Sequence, residues 1–422
     1  MAALTVPKPP AILETGAGCT CSPLQTTTLT SMRRIYVDHN ATTPVDPAVL
    51  AEMLPYLSSE YGNASSVHAF GQSARGAVER ARESVAALIG ARPAEIVFTG
   101  GGTESDNAAI CGVAGAATRD RRHIITTAIE HAAVLHTCQA LERRGVEVTY
   151  LPVSRHGVVD PQDVRRALRP ETVLISVMHA NNELGTLQPI EEIGRIAAEA
   201  GVTFHTDAVQ SAGKVPLDVA QLGVHLLSLS AHKLCGPKGV GALFVRKGVR
   251  LEPLMHGGHS ERDRRAGTEN VSGIAGFGKA AELAGAHLAE HAARVAALRD
   301  RLEQGLLERI PDARVNGRAA PRTPNTCNML FPGVESESLV IALDLQGLAC
   351  SAGAACSSGA TDPSHVLAAI GLSTAEARAC VRLSLGYTNT DEEIARALEV
   401  IPAVVAAHRG VSPGRREPVP AP

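Results

Sequence analysis

From Glu95 to Val245, short apolar runs alternate with amphipathic stretches. The runs are EIVFTG (95–100), HIITTA (123–128), EVTYLPV (147–153), TVLISVMHA (172–180), VTFHTD (202–207), HLLSLSA (225–231) and VGALFV (240–245). Several place apolar residues at consecutive positions, as strands covered on both faces do. Around them the spacing turns helical: Val78, Ala81, Val85 and Leu88 recur every three or four residues and predict a helix with one buried face. Strands alternating with helices predict an α/β domain on a mainly parallel seven-stranded sheet, whose ligands bind at the carboxyl ends of the strands. Near residue 279 the pattern changes. KAAELAGAHLAEHAARVAALRDRLEQGLLERI (279–310) reads as one long helix that no strand interrupts, leading into a smaller second domain.

The two ends read differently. Residues 1–31 are rich in Pro, Thr, Ser and Gly without periodicity, and the stretch 409–422 is similar in composition; both are expected to be disordered, with Met32 as an alternative start. The expected organisation is a leader over 1–31, a large domain over 45–288, a small α+β domain over 289–408 and a tail over 409–422.

Composition narrows the function. The 422 residues are 45% apolar and 20% charged with a formal charge of -3, too balanced for a protein that binds nucleic acid by neutralising phosphates. No apolar run approaches the roughly 18 to 20 residues that cross a bilayer, and the first 30 residues lack a basic segment followed by an apolar one. A cytoplasmic protein with a small-molecule substrate is expected. Nine cysteines lack the spacing of a disulfide framework, so reduced thiols are the default. The isolated Cys19-Thr20-Cys21 carries no metal-site expectation. LACSAGAACSSGATDPSHVL (348–367) sets Cys350 and Cys356 among small residues, with no Lys or Arg from 346 to 374 and His365 as the one potential cation.

Polar residues collect just past the apolar runs. After EIVF, TGGGTESDNAAI (99–110) puts three glycines before Thr103 and a predicted helix, a plausible phosphate cradle because backbone N–H groups and a helix N-terminus both favour an anion. It is neither a P-loop nor a GxGxxG fingerprint, which sets aside a dinucleotide-dependent dehydrogenase. Glu130-His131, Asn181-Asn182-Glu183, Asp207, Gln210, His232 and Lys233 follow the later runs. Each has a bland reading, as a helix cap, a turn former or a solvated loop residue. Together they supply an anion cradle, a carboxylate, amide donors, an imidazole and a lysine on one edge of one sheet, and that set fits pyridoxal phosphate. The chemistry alone leaves Lys233, Lys214 and Lys238 open as the lysine.

With these residues in hand, the chain resembles the cysteine desulfurases of nitrogen-fixation and iron–sulfur-cluster systems. The likeness rests on YVDHNATTPVDP (36–47), GNASSVHAFG (62–71), FTGGGTESDN (98–107), IEHAAVL (129–135), MHANNELGTLQPI (178–190), HTDAVQSAGK (205–214), SAHKLCGPKGVGAL (230–243), RRAGTEN (264–270), SAGAACSSG (351–359) and RLSLGYTNTDEEI (382–394). It implies a fold-type I enzyme with pyridoxal 5'-phosphate as cofactor, and an N-terminal segment at 32–44 associated with the small domain. It makes Lys233 the lysine that bonds the cofactor, with Gly102, Thr103, Ser230 and His232 at the phosphate. His131 is then the ring-stacking histidine, Asp207 the pyridinium partner, and Gln210 and Asn182 neighbours of the phenolic oxygen. Arg382 clamps the substrate carboxylate beside Asn182, Thr268 reaches the phosphate of a neighbouring subunit in a homodimer, and Cys356 rather than Cys350 is the nucleophile.

The activity implied is removal of sulfur from L-cysteine, giving L-alanine and a persulfide on Cys356. The sulfur then passes to an acceptor protein, a scaffold or carrier, for iron–sulfur cluster assembly or thiolation. No resident metal is implied, although Cys356 would transiently ligate a nascent iron–sulfur cluster. Selenocysteine lyase, a desulfurase dedicated to tRNA or cofactor thiolation, and a non-catalytic sulfur carrier are the alternatives. Gly100 stands where the family usually has Ser, His39 where many members have Asn, and Ala354 where Ser is common. The chain after 400 does not resemble the extension that housekeeping members use to dock the scaffold protein.

Overall fold

The computed structural model describes residues 34–118, 122–352 and 363–411, with side chains through 410. After a short strand β1 (Ile35–Tyr36), the seven apolar runs become β2 (Ile96–Thr99), β3 (His123–Thr127), β4 (Glu147–Leu151), β5 (Thr172–Ser176), β6 (Thr203–Asp207), β7 (Leu226–Ser230) and β8 (Gly241–Val245). They lie in the order β2-β8-β7-β6-β5-β3-β4. β3 to β7 pair in parallel, and β8 alone runs antiparallel to both of its neighbours. Helices cover both faces, so successive strand residues enter opposite cores: Leu227 and Ile125 one, Leu226 and Ile124 the other. Each fully buried side chain of this kind contributes about 1.5–3 kcal/mol. The edge strand β4 is the exception, with Glu147 exposed and only Leu151 buried.

The helix predicted around Val78 spans Ala69–Leu88 and buries Ala74, Ala77, Val78, Ala81 and Val85. It packs on the helix Val271–Ala286, and the two backbones meet closely: a Cβ on Gly278 would lie 2.5 Å from the Ala81 Cα. The single helix expected over 279–310 is two helices instead, Val271–Ala286 and Leu288–Arg309. His287 takes φ -111° and ψ 11° between them, while His291 in the second helix stacks on Tyr387 with centroids 4.5 Å apart. A tertiary contact redirects the chain at a point where propensity alone favours continuity.

The second sheet is antiparallel, in the order β12-β13-β10-β9, from β9 (Arg314–Asn316), β10 (Thr326–Leu330), β12 (Ser351–Ala352) and β13 (Cys380–Ser384); β11 (Leu348–Ala349) pairs in parallel with β1. The helices Leu288–Arg309, Ser336–Leu345 and Asp391–Val411 close its core around Phe331, Leu302 and Ile394. The last helix therefore continues through 409–411, three residues into the stretch whose composition reads as tail. Beyond β1 the N-terminal segment bridges from Asp38 to Ser384. It then reaches the large sheet, where Thr43 binds the carbonyl of His232 through its N–H (3.1 Å) and hydroxyl (2.9 Å).

Candidate active site

β2 ends in Thr99, and the chain turns through three glycines into the helix Gly102–Ala116. Gly101 takes φ 152° and ψ -179° at the helix N-cap, a conformation essentially restricted to glycine. A Cβ on Gly102 would meet Val209 Cγ2 at 2.7 Å and Ser230 Cβ at 3.6 Å, so the bare backbone here is what keeps the space open. No side chain caps this helix N-terminus, and Gly100 to Thr103, Ser230 and His232 line a common recess. Unsatisfied helix N–H groups facing a recess make an anion cradle.

Next along the sheet edge, His131 follows β3 as the N-cap of the helix Ala132–Glu142. Its Nδ1 accepts from the Ala133 N–H at 3.1 Å, which leaves the proton of the neutral ring on Nε2. Burial lowers its pKa, although Asp207 works the other way. Glu130 beside it is buried and ties two strand ends together, accepting from Thr127 Oγ1 at 2.6 Å and from the Met178 N–H at 3.0 Å. Burial pushes its pKa up to about 8. Asn181, not Asn182, is the turn former after β5: its Oδ1 accepts from the N–H groups of Glu183 and Leu184 at 2.9 and 3.0 Å.

Asp207 closes β6, buried, with Oδ1 accepting from the Val209 N–H at 2.9 Å. Burial raises its pKa while His131 and Lys233 pull it down. Below it on the same strand, His205 bridges Ser176 on β5 (2.9 Å) and Ser228 on β7 (3.0 Å); burial holds it neutral, with a pKa of about 3. After β7, the turn Ala231–Lys233 projects His232 and Lys233. The Lys233 Nζ donates to the carbonyls of Asn40 and of Ala41, the latter at 2.7 Å. Gln210 Nε2 donates to the same Asn40 carbonyl at 2.9 Å, and Lys214 Nζ donates to Gln210 Oε1 at 2.8 Å.

From the second sheet β13 contributes Arg382, 1% exposed. Its Nη2 donates to Asp38 Oδ1 at 2.8 Å and its Nη1 to the Asn182 carbonyl at 3.1 Å, whereas Nε is buried without a hydrogen-bond partner among the described residues. Gly102, Thr103, His131, Asn182, Asp207, Gln210, Ser230, His232, Lys233 and Arg382 line one cavity of about 300 Å³. Asn40, Ala41, Asp106, Met178 and Val209 complete its walls, and none of them was singled out by reading strand ends.

A chain built this way has known relatives. The class-V aminotransferase model matches residues 35–397. A protein named cysteine desulfurase IscS from Methanosarcina thermophila is 51% identical over 384 residues, covering 91% of this chain and 95% of its own. A solved structure titled NifS-like protein superposes with a TM-score of 0.83 at 40% identity, covering 89% of this chain and all of the other, and one titled SspA in complex with cysteine gives 0.76 at 40%, covering 84% and 100%. The chain belongs to the cysteine desulfurase family of class-V aminotransferases. Enzymes of this family depend on pyridoxal phosphate, and the cavity fits that cofactor on its own evidence. The glycine loop leaves room only a Cβ would fill, Asp106 Oδ1 is buried without a hydrogen-bond partner among the described residues, and a carboxyl, an imidazole and an amine face the same space.

Two expected site residues stand apart. Thr268 is exposed and does not line the cavity. Cys356 lies outside the described residues, as do Gly353, Ala354 and Ala355. On either side of them the chain is tied to the site: Ser351 pairs with Arg382 across β12 and β13, and Ser364 Oγ donates to the buried Glu183 carboxylate at 2.6 Å. Cys350 is buried and its thiol is pushed up to about 12. The other described cysteines, Cys111, Cys138, Cys235, Cys327 and Cys380, are also free thiols with pKa values raised by burial.

Proposed function

We propose that this protein is a pyridoxal-phosphate-dependent cysteine desulfurase that releases L-alanine and leaves a persulfide on Cys356. The observation that carries the reading is Arg382: a guanidinium that lines the same cavity as Lys233 and whose Nε has no hydrogen-bond partner among the described residues. A fork of this kind takes a carboxylate side-on, so an α-amino acid seated on it presents its amino group toward the lysine. The similar solved structure whose title names cysteine as its ligand supports cysteine as that amino acid.

Pyridoxal phosphate, when bound, supplies an aldehyde for the amino group and a ring that accepts electrons from the α-carbon. Gly102, Thr103, Ser230 and His232 would hold its phosphate, Asp207 would keep a proton on its ring nitrogen, and His131 would cover one face. Lys233 supplies the amine that, once freed by substrate, takes the α-proton. Asn182 and Gln210 present amides beside it. The Cys356 thiolate then attacks the substrate sulfur: an S–S bond forms, the substrate Cβ–S bond breaks with its electrons returning to carbon, and protonation there yields alanine. The persulfide sulfur passes to an acceptor protein for cluster assembly or thiolation. Thr268, exposed on its own protomer, serves the phosphate site of a second copy in a homodimer.

The test is an incubation of the holoenzyme with L-cysteine that reads alanine, sulfide and the mass of the Cys356 peptide together. Cys356→Ala should bind cysteine and perturb the cofactor absorption while alanine and sulfide production stop. Cys350→Ala should keep activity. Activity lost on Cys350→Ala and retained on Cys356→Ala would overturn the assignment of the nucleophile.

A further inference from the structure

Glu104 places a carboxylate in the recess that the phosphate would enter, lined also by Gly100 to Thr103, Ser230 and His232. Its Oε2 accepts from the Gly100 N–H at 2.7 Å and so fixes the glycine loop. A Cβ on residue 100 would lie 2.6 Å from the same oxygen, so a larger residue there would require the carboxylate to shift. A carboxylate on a helix N-terminus is ordinarily favourable. Beside a phosphate carrying nearly two negative charges it is unfavourable unless something cancels it.

Lys238 also lines the recess, and Arg265 pairs directly with this carboxylate. Its Nε donates to Glu104 Oε1 at 2.9 Å and its Nη2 approaches Oε2 at 3.4 Å, so the fork spans both oxygens. The backbone that leads to Arg265 takes an uncommon path. Glu261, Arg262 and Asp263 all adopt left-handed φ values of 49°, 58° and 64°, each costly for a non-glycine residue. A buried bidentate pair offsets that cost: Arg82 Nη1 and Nη2 meet Glu261 Oε2 and Oε1 at 2.8 and 2.9 Å. The pair is fastened to β2 itself, where Glu261 Oε2 accepts from the Phe98 N–H at 2.9 Å and Arg82 Nη1 donates to the Ile96 carbonyl at 2.8 Å. The strand that feeds the glycine loop and the turn that carries Arg265 thus share one frame.

We propose that Arg265 is a positioning residue for the cofactor phosphate, cancelling the Glu104 carboxylate that shapes the cradle and setting affinity for a phosphorylated ligand without touching it. This rests on the reading of Gly102 and Thr103 as the phosphate cradle. The test titrates apo-protein with pyridoxal phosphate and with pyridoxal, which lacks the phosphate, following the absorption of the bound ligand. Arg265→Gln should weaken pyridoxal phosphate binding roughly ten-fold and leave pyridoxal unchanged. Glu104→Gln combined with Arg265→Gln should return the affinity to within a few-fold of wild type, and Arg265→Lys, which keeps the charge and gives up the fork, should fall between. Equal losses for both ligands, no loss for either, or a double variant no better than Arg265→Gln would each overturn the proposal. A wild-type protein that does not distinguish pyridoxal phosphate from pyridoxal would instead overturn the cradle on which it rests.

Discussion

Glu130 holds the ends of β3 and β5 together through Thr127 and Met178. Its carboxyl has a pKa of about 8 in the fold, against an ordinary value of 4.5. Between those values the folded chain keeps a proton that the unfolded chain has released, so this contribution to stability is full at acid pH and is lost as pH rises toward 8. Glu130→Gln keeps an amide oxygen able to accept both bonds and cannot titrate. The melting temperature of the variant should therefore gain on wild type as pH goes from about 5 to 8, measured by calorimetry on the apo-protein. Parallel curves for the two proteins would show that the carboxyl titrates elsewhere.

At the scale of elements, the helices Ala69–Leu88 and Val271–Ala286 pack closely where Gly278 faces Ala81. Gly278→Ala puts a methyl group into backbone that cannot yield locally, and overpacking of this kind costs about 1–3 kcal/mol; urea unfolding should register it as a lower midpoint with little change in slope. The strands were legible because β5, β7 and β8 are almost entirely buried and rich in apolar residues, and the sheet edge was legible because its polar residues follow those runs. Asn40 and Ala41 were not, since the segment carrying them follows no strand of the large sheet and enters the cavity through long-range contacts with Lys233 and Gln210. The helix break at His287 escaped for a similar reason, as it answers to Tyr387 a hundred residues later in the chain. Sequence alone did not show that Asn181 rather than Asn182 forms the turn; the hydrogen bonds from the Glu183 and Leu184 N–H groups to Asn181 do.

For the molecule as a whole, the proposed reading of the exposed Thr268 as serving a second copy would make each site the product of two chains. Mixing a Lys233→Ala protein with a Thr268→Val protein should then produce hybrid dimers in which one site combines an intact lysine with an intact threonine. That site should bind the cofactor with wild-type affinity, which the Thr268→Val homodimer should not; equal affinities in the hybrid and the Thr268→Val homodimer would count against shared sites. The distribution of thiols has a different kind of consequence. Reactivity toward sulfane sulfur follows the thiolate, and every cysteine among the described residues is held by burial in its inert form. A catalyst that handles so transferable an atom avoids poisoning itself when these buried thiols offer no competing resting place, and the peptides that carry them should show little misplaced sulfur.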